Sequence, residues 1–518
     1  MSATSQGTDS HRGIRDSWTG QYGFLMAAIG SAVGLGNIWR FPGVAYSNGG
    51  GAFILPYLIA LLFAGIPILM LDYALGHKYR GSAPLTFRRL NEKFEFLGWW
   101  QVLVSFIILV YYAVIIAWAA MYAIYSVNMA WGESPLDFFV GDFLQASGEL
   151  ISFTPVWHIL IPLVFIWIFV LVVLGRGVSR GVEAANKVFL PLLVLLFLIL
   201  VIRALFLPGA IDGLNEFFTP EWDALFDGTV WLAAMSQIFF SMSIAFGIML
   251  TYASYLPKKT NLTGTGLVAG FANSSFEILA GIGVFATLGF MAHQQSVTVD
   301  ELEGLTGPIL SFVTFPKIIS MMPGGALFGV IFFTSLTLAG ITSLLSLLQV
   351  VSSGFQDKFG LNPRRAAVTV GSVSAVVSVV LFSTTTGLNT LDIVDSFINN
   401  LGVVSSAIVM TLLAYFAVPK IRALRNHLNM SSPIQVPRAW DYIVGLIVPA
   451  VLAIMMFQAI VDYLTEGYGD WAPGSANILI FGWGTIAIAA IGALIFTFLP
   501  WKPNVSQEKI IRYKGEED

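Results

Sequence analysis

Long apolar runs, separated by short polar stretches, cover most of the chain. A helix needs about 20 mostly apolar residues to cross the hydrocarbon core of a bilayer, and these runs reach or approach that length. None of the polar stretches between them is long enough to form a soluble domain. The runs lie near residues 23–46, 51–76, 97–131, 157–174, 182–206, 228–256, 264–291, 325–356, 366–385, 389–416, 440–464 and 475–499. The pattern predicts an all-α membrane protein with 12 transmembrane helices, and a shorter apolar stretch at 308–322 predicts a re-entrant or capping loop.

The composition excludes several classes of protein. Hydrophobic residues make up 56% of the 518 positions and charged residues only 11%, a balance that indicates a membrane protein. The chain has no cysteine, which excludes disulfides, thiolate metal sites and a cysteine nucleophile. Residues 1–14 are polar and contain no apolar core, so no cleaved signal peptide is expected.

The distribution of lysine and arginine predicts the orientation. All but three of the 26 basic residues fall in the termini and in the loops on one side of the predicted membrane, and the exceptions are Arg40, Arg203 and Lys317. The opposite loops carry acidic residues. Because basic loops stay in the cytoplasm, we expect a multi-pass protein of the plasma (cytoplasmic) membrane with both termini cytoplasmic.

Two of the predicted helices contain residues that lipid contact would not stabilise. The first run contains GSAVGLGNIWRFP at 30–42, with three glycines, an asparagine and an arginine. A glycine costs about 1 kcal/mol in a helix interior, and a charge at that depth costs more. The sixth run contains QIFFSMSIAFG at 237–247, where polar residues and a glycine interrupt the apolar pattern. We expect both helices to be broken, with loosened backbone lining a cavity inside the protein.

The two broken helices lie five runs apart, so they cross the membrane in opposite directions. This spacing is typical of an inverted repeat, runs 1–5 against runs 6–10, with a binding site where the repeats meet. For the sixth run taken alone, serines that only pack against neighbouring helices are an equal alternative.

Several motifs together resemble the neurotransmitter:sodium symporter family, and within it the bacterial amino-acid transporters. They are GSAVGLGNIWRFP followed by NGGGAF at 48–53, Tyr111 with Tyr112, FFSMSIAFG in the sixth run, Asn273, and AGITS at 339–343. The resemblance covers nearly the whole chain. It implies the bacterial leucine-transporter fold, a 5+5 inverted repeat with unwound helices 1 and 6, followed by helices 11 and 12. The expected boundaries are a cytoplasmic segment at 1–21, one transporter domain at 22–500 (repeats near 22–206 and 228–416, helices 11–12 near 438–500) and a cytoplasmic tail at 501–518.

The resemblance implies two sodium sites. Sodium is a hard cation that prefers oxygen ligands, and unwound backbone supplies carbonyls without a charge. Ala339, Thr342 and Ser343 share one helix face because they are three and four residues apart. The second site would combine that face with the carbonyls of Gly30 and Val33. The first site would use Ala32, Asn37, Ser241 and Asn273. The alternative for the two asparagines is a hydrogen bond that only joins their helices.

The substrate site is expected beside these ions. By resemblance, the amides of Leu35 and Gly36 and the Tyr112 hydroxyl would hold a substrate carboxylate, and Gly34 leaves room for one where an aspartate would repel it. The predicted substrate-binding residues are Ser31, Ala32, Leu35, Gly36, Ile108, Tyr112, Phe240, Ser243, Phe246, Ser343 and Leu347. Ser31, Ala245 and Leu344 depart from the leucine-transporter pattern, and a methyl group at Ala245 puts the size of the pocket in question. One methylene changes affinity by only about 1–3 kcal/mol, so the sequence does not identify the amino acid.

Charged residues near the helix ends match the family's gates. Arg40 and Asp395 would form the outer pair, and Arg15 and Asp357 the inner pair. Trp18 and Tyr255 would pack around the inner pair. The alternative is that these pairs tie helices together without moving.

Two carboxylates lie deeper, Asp72 and Glu277. An intramembrane carboxylate is a candidate for function. In chloride-dependent relatives a serine beside a bound chloride stands at the position of Glu277, so we expect a chloride-independent protein. For Asp72 the favoured interpretation is a hydrogen bond to unwound backbone.

The function that these observations favour is a sodium-coupled secondary active symporter. It would move a zwitterionic neutral amino acid with two sodium ions by alternating access, without chloride. The alternatives are transport of an amino-acid-like osmolyte or of GABA, taurine or betaine, or a non-transporting receptor of the same fold. The five histidines are scattered and no phosphate-binding loop is present, so neither an enzyme nor an ATP-driven pump is expected. We expect the protein to lie in a lipid bilayer and not to bind nucleic acid. The chain could be a monomer or a homodimer.

Overall fold

The computed structural model describes residues 17–220, 222–302, 305, 307–417, 420–502 and 510–512, and its regular elements are helices. In chain order the membrane helices are α1 (Gln21–Ala32), α2 (Gly36–Ser47), α3 (Gly51–Tyr79), α4 (Glu92–Tyr125), α5 (Trp157–Leu174), α6 (Val178–Leu205), α7 (Gly228–Ser241), α8 (Ile248–Ala253), α9 (Leu262–Gln295), α10 (Gly325–Phe359), α11 (Pro363–Phe382), α12 (Gly387–Phe416), α13 (Ala439–Thr465) and α14 (Ile478–Phe498). The main connecting helices are Ala83–Leu90, Ala210–Phe218, Gly307–Met321 and Lys420–Ser431.

Ten of these helices in the described ranges are continuous and are long and apolar enough to span a membrane. The bent pair of α1 and α2 is an eleventh candidate span. Helices α7 and α8, separated by residues 242–247, lie in the sixth predicted segment, so both predicted interruptions are present. The third segment is shorter than expected, because α4 ends at Tyr125 rather than near 131. The chain turns there, with Met129 and Gly132 in the left-handed region. The stretch at 308–322 forms a short helix, Gly307–Met321.

The first break lies at residues 33–35, where the chain bends by 50° between α1 and α2. Val33 is extended, and α2 begins with a π-helical turn, Gly36–Arg40. A Cβ atom added to Gly36 would lie 2.7 Å from the ring of Phe240 in α7. The glycine therefore allows the two broken spans to approach each other closely.

The second break, at residues 242–247, is longer. Ser243, Ala245 and Gly247 adopt positive φ values of 52°, 63° and 76°. A non-glycine residue with positive φ costs of order 1–3 kcal/mol, so the surrounding structure must hold two of these residues in place.

Side chains from three other helices bind the backbone of this second break. The amide of Ala245 donates to Asp72 Oδ2 of α3 at 3.2 Å, and its carbonyl accepts from Ser406 of α12 at 2.9 Å. The carbonyl of Phe246 accepts from Ser105 of α4 at 2.8 Å. Unwound backbone without such partners would be costly at membrane depth. Asp72 therefore makes the hydrogen bond to unwound backbone that is expected from the sequence.

The broken helices lie at the centre of the bundle. Helix α1 packs against α6, α9 and α10, while α4 runs along α10. In their most apolar windows, 78% of residues are buried in α4 and α9, against 28% in α13 and 22% in α14. The last two helices therefore present most of their surface to lipid.

A buried carboxylate joins the N-terminal end of α4 to α10 and to the segment after α14. Glu95 accepts hydrogen bonds from Lys358 at 2.5 Å, Trp501 at 2.8 Å, and Arg88 and Trp99 at 3.1 Å each. Lys358 is fully buried. A buried charge without its partner is strongly destabilising, so these contacts fix the ends of three segments together.

Replacing Lys358 should therefore destabilise the fold. We expect Lys358→Met to lower the free energy of unfolding by about 3 kcal/mol, because Glu95 keeps only a half-buried arginine as charged partner. Glu92→Gln is the matched control, since the Arg88–Glu92 pair is exposed and 3.8 Å long, and it should change stability by less than about 1 kcal/mol. Unfolding of the detergent-solubilised protein checks both variants. Equal midpoints for Lys358→Met and the wild type would contradict this role of Glu95.

Candidate functional site

A cavity of about 50 Å³ lies between the two breaks. Its lining residues come from α1, α2, α4, α7, α8, α10 and the two unwound segments. They are Ser31, Ala32, Gly34, Gly36, Asn37, Ile108, Tyr112, Phe240, Ser241, Ser243, Phe246, Ile248, Ser343 and Leu347. Every predicted substrate-binding residue except Leu35 is among them. Gly34 and Ile248 also line the cavity.

One end of the cavity is polar. The backbone amide of Leu35 donates to the Tyr112 hydroxyl at 3.2 Å, so this residue contributes through its backbone. A Cβ atom on Gly34 would lie 2.7 Å from Ser343 Oγ and 3.1 Å from the Tyr112 oxygen. A side chain at position 34 would collide with Ser343, so the glycine allows Ser343 and Tyr112 to approach the first break closely.

The walls away from Tyr112 are mainly apolar. Ile108, Phe246, Ile248 and Leu347 line them. Ala245 is not a lining residue of this cavity within the described chain, and its backbone is bound to Asp72 and Ser406. The methyl group that put the pocket size in question therefore does not line the space it was expected to reduce.

Three of the four residues predicted for the first sodium site, Asn37, Ser241 and Asn273, are joined by one continuous set of hydrogen bonds. The Gly34 amide donates to Asn37 Oδ1 at 2.8 Å, and Asn37 Nδ2 donates to Asn273 Oδ1 at 2.8 Å. Asn273 Nδ2 then donates to Ser241 Oγ at 3.1 Å. Ala32 lies on the same cavity. Two amide oxygens and a hydroxyl thus lie together in one buried place, each accepting a hydrogen bond from a protein group. Oxygens of this kind suit a hard cation.

The residues predicted for the second sodium site are only partly in mutual contact. Thr342 Oγ1 donates to the carbonyl of Ala339 at 2.9 Å, on one face of α10. Ser343 Oγ reaches α1 at the carbonyl of Ser31, at 3.2 Å, rather than at Gly30 or Val33. Ser243 Oγ donates to the same carbonyl at 3.3 Å. The three helical segments therefore meet at Ser31.

A second, larger cavity begins where the first ends. Its volume is about 710 Å³, and it shares Gly36, Tyr112 and Phe240 with the smaller one. We call it the vestibule; among its lining residues are Trp39, Arg40, Tyr111, Asp392, Asp395 and Tyr468. Tyr112 and Phe240 stand at the boundary between the two spaces.

The predicted outer pair is separated in this conformation. Arg40 donates to Ser236 at 3.1 Å, and its guanidinium carbon lies 4.2 Å from the centre of the Phe240 ring. Asp395 accepts from Tyr111 at 2.5 Å. Arg40 and Asp395 both line the vestibule, but no ion pair joins them in the part of the chain that the structure describes.

Aromatic residues close the other side of the protein. Trp18 Nε1 donates to the carbonyl of Tyr252 at 2.9 Å, and its ring centre lies 5.1 Å from that of Tyr252 and 6.3 Å from that of Tyr255. Gln349 donates to the Tyr255 hydroxyl at 3.0 Å. Trp18 and Tyr255 are each only 3% exposed. We call Trp18, Tyr252 and Tyr255 the seal.

Of the predicted inner ion pair, Asp357 lies in the described part of the chain. Asp357 Oδ2 accepts from the backbone amide of Ser82 at 2.8 Å. Arg15 lies outside the described residues.

The cavity between the breaks thus opens toward the vestibule, while the seal covers the opposite end of the bundle.

Glu277 is fully buried, one turn after Asn273 on α9. Gln237 Nε2 of α7 donates to one carboxyl oxygen at 2.6 Å, and the Tyr57 hydroxyl of α3 donates to the other. Gln237 stands out in the sequence as a polar residue in an apolar run. Tyr57 gives no such signal, because nothing in the sequence places α3 beside α9.

The chain is similar to known proteins over most of its length. A model of the sodium:neurotransmitter symporter family matches residues 15–135 and 132–501. An uncharacterised sodium-dependent transporter of Methanocaldococcus jannaschii is 40% identical over 485 residues, which are 93% of this chain and 97% of that protein. The sodium- and chloride-dependent glycine transporter 2 of Xenopus laevis is 26% identical over 541 residues, covering 92% of this chain and 68% of that protein.

A solved structure has the same fold. The crystal structure of MhsT in complex with L-phenylalanine superposes with a TM-score of 0.71 and 29% identity, over 86% of this chain and 100% of that one. The family model covers most of the chain. The chain belongs to the sodium:neurotransmitter symporter family.

Proposed function

We propose that this protein moves a neutral amino acid across the cytoplasmic membrane together with two sodium ions. The observation that carries the proposal is the cavity between the two breaks, with a polar end at Tyr112 and Leu35 and apolar walls beyond. A zwitterion with an uncharged side chain fits such a site. The similarity to a structure that contains L-phenylalanine supports the same class of substrate.

Helix ends supply the charge complementarity. The N-terminal end of α2 carries a partial positive charge, and the C-terminal end of α1 carries a partial negative charge. The break places both ends beside the cavity, so a carboxylate near Gly36 and an ammonium near Ser31 would each meet the opposite charge. A carboxylate at this break could also complete the shell of the first sodium.

The vestibule and the seal indicate to which side of the membrane the cavity opens in this conformation. By the positive-inside rule the seal lies on the cytoplasmic side, since both termini and the basic loops are assigned there. The vestibule then faces outward, with the outer pair of Arg40 and Asp395 apart. We infer that the structure is an outward-open state, and that closing this pair over a bound substrate begins the transport cycle.

A binding screen tests the substrate class. The purified protein should unfold at a higher temperature with one or a few neutral amino acids, and only in sodium rather than potassium. Taurine, betaine and GABA belong in the screen, because stabilisation by one of these would favour the osmolyte alternative. A response to an amino acid without any difference between sodium and potassium would contradict the coupling. Saturable, sodium-dependent uptake separates a transporter from a receptor of this fold.

Removing a sodium ligand should weaken substrate binding. We expect Asn273→Ala and Thr342→Ala each to raise the sodium concentration for half-maximal binding by about tenfold or more, since a ligand to a charged group contributes about 1.5–3 kcal/mol. Thr337→Ala is the control, because its hydroxyl bonds only to Phe333 of its own helix. Normal sodium dependence in both variants would show that neither site is assigned correctly.

We propose that the carboxylate of Glu277 supplies the negative charge that would make transport independent of chloride. Two sodium ions in a site of low dielectric need compensating negative charge, and a substrate carboxylate balances at most one. We expect uptake by the wild type to be the same in gluconate as in chloride. Glu277→Ser should reduce uptake in gluconate, and adding chloride should restore part of that uptake. A wild type that requires chloride would refute this proposal.

The seal should control access from the cytoplasm. Trp18→Ala removes the indole that bonds to Tyr252 and packs on Tyr255, so we expect a shift toward the inward-open state. Because the chain has no cysteine, Ser346→Cys introduces a single thiol as a reporter. Position 346 lies next to the seal, since the Tyr252 hydroxyl donates to Ser346 Oγ at 2.7 Å in the wild type. The cysteine should react faster with a cytoplasmic thiol reagent when Trp18→Ala is added. Equal labelling rates would show that Trp18 does not hold the seal closed.

A further inference from the structure

A buried amide on α6 has an oxygen with no hydrogen-bond partner. Asn186 is fully buried, and its Nδ2 donates to the carbonyl of Val182 at 2.8 Å. A carbonyl can only accept, so this contact fixes which end of the amide is the nitrogen. Within the described residues, Asn186 Oδ1 has no donor. Buried acceptors are nearly always satisfied, so this oxygen calls for a ligand that the protein alone does not supply.

The unpartnered oxygen lies directly against the backbone of Gly30 in α1. A Cβ atom built on Gly30 would be 2.0 Å from Asn186 Oδ1, closer than any real contact. The glycine is therefore what lets the oxygen approach α1 here. Helices α1, α6 and α10 pack against one another around this point.

The carbonyl of Gly30 also lacks its usual helical donor. In a continuous helix the amide of Gly34 would bond to it, but α1 ends at Ala32 and the Gly34 amide donates to Asn37 Oδ1. Carbonyls at a helix C-terminus carry partial negative charge. Gly30 thus combines a helix-end carbonyl without its usual donor and, on the side where a Cβ would stand, the unpartnered oxygen of Asn186 from α6.

We propose that the amide oxygen of Asn186 is a further ligand of the second sodium ion, contributed by α6 beside the carbonyl of Gly30. This inference rests on the proposed function, in which the second ion lies between α1 and α10. It adds a third helix to that site. An ion held in this way would tie α6 to the broken helix while sodium is bound.

Sodium binding without substrate gives the most direct readout. The unfolding temperature of the full chain in detergent is measured against sodium concentration, with potassium keeping the ionic strength constant and no amino acid present. We expect Asn186→Leu, which keeps the approximate size but removes the oxygen, to raise the half-saturating sodium concentration about tenfold. Ser378→Ala is the control, since this buried hydroxyl on α11 also lacks a partner in the described chain.

A second variant separates a ligand from a packing residue. Asn186→Asp keeps an oxygen over Gly30 but loses the hydrogen bond to Val182, so sodium affinity should stay near or above that of the wild type. If Asn186→Leu and Asn186→Asp lose sodium affinity equally, the bond to Val182 is what matters and the inference is wrong. If Asn186→Leu fails to fold, Asn186→Ala takes its place with the same expected loss.

The outcomes also separate this inference from the proposed function. A wild type that sodium stabilises, together with an unchanged sodium response in Asn186→Leu, overturns only the role of Asn186. It would indicate that a buried water satisfies the two acceptors. A wild type that sodium does not stabilise overturns the proposed coupling and this ligand with it.

Discussion

The need to satisfy backbone polar groups inside a membrane governs this structure. A helix that breaks at bilayer depth leaves amides and carbonyls without partners, and lipid offers none. Here the second break is bound by Asp72, Ser105 and Ser406 from three surrounding helices. At the first break the amides of Gly34 and Leu35 bond to Asn37 and Tyr112. The bundle therefore holds both breaks in place.

The same constraint explains why small residues gather at the site. Gly34 and Gly36 have no room for a side chain, because Ser343, Tyr112 and Phe240 already lie against their Cα atoms. Close approach brings the oxygens of several helices around one small cavity. A site built from helix ends and backbone carries little net charge when empty. Glu277 is the exception, and its two donors keep that carboxylate hydrogen-bonded.

Much of this could be predicted from the sequence, because the strongest signals are local. Apolar runs predict the spans, and glycine with polar residues at 30–42 predicts the first break. The lining of the cavity follows from the family motifs, apart from Ile248, which enters only because α8 begins there. Contacts between distant helices could not be predicted. The cluster around Glu95 needs the ends of three segments together, and Tyr57 reaches Glu277 only in the folded bundle. The positions of Arg40 and Asp395 depend on the conformational state, which a sequence does not specify.

The central claim is that the cavity between the breaks couples an amino acid to sodium. Accumulation of a radiolabelled amino acid by proteoliposomes tests it most directly, using the amino acid that gives the largest thermal stabilisation in sodium. With sodium outside and potassium inside, the internal concentration should rise above the external one, then fall when a sodium ionophore removes the gradient. Each sodium moving through 100 mV contributes about 2.3 kcal/mol, so an inside-negative potential should increase the accumulation. Uptake that only reaches the external concentration, whatever the sodium gradient, would contradict the account.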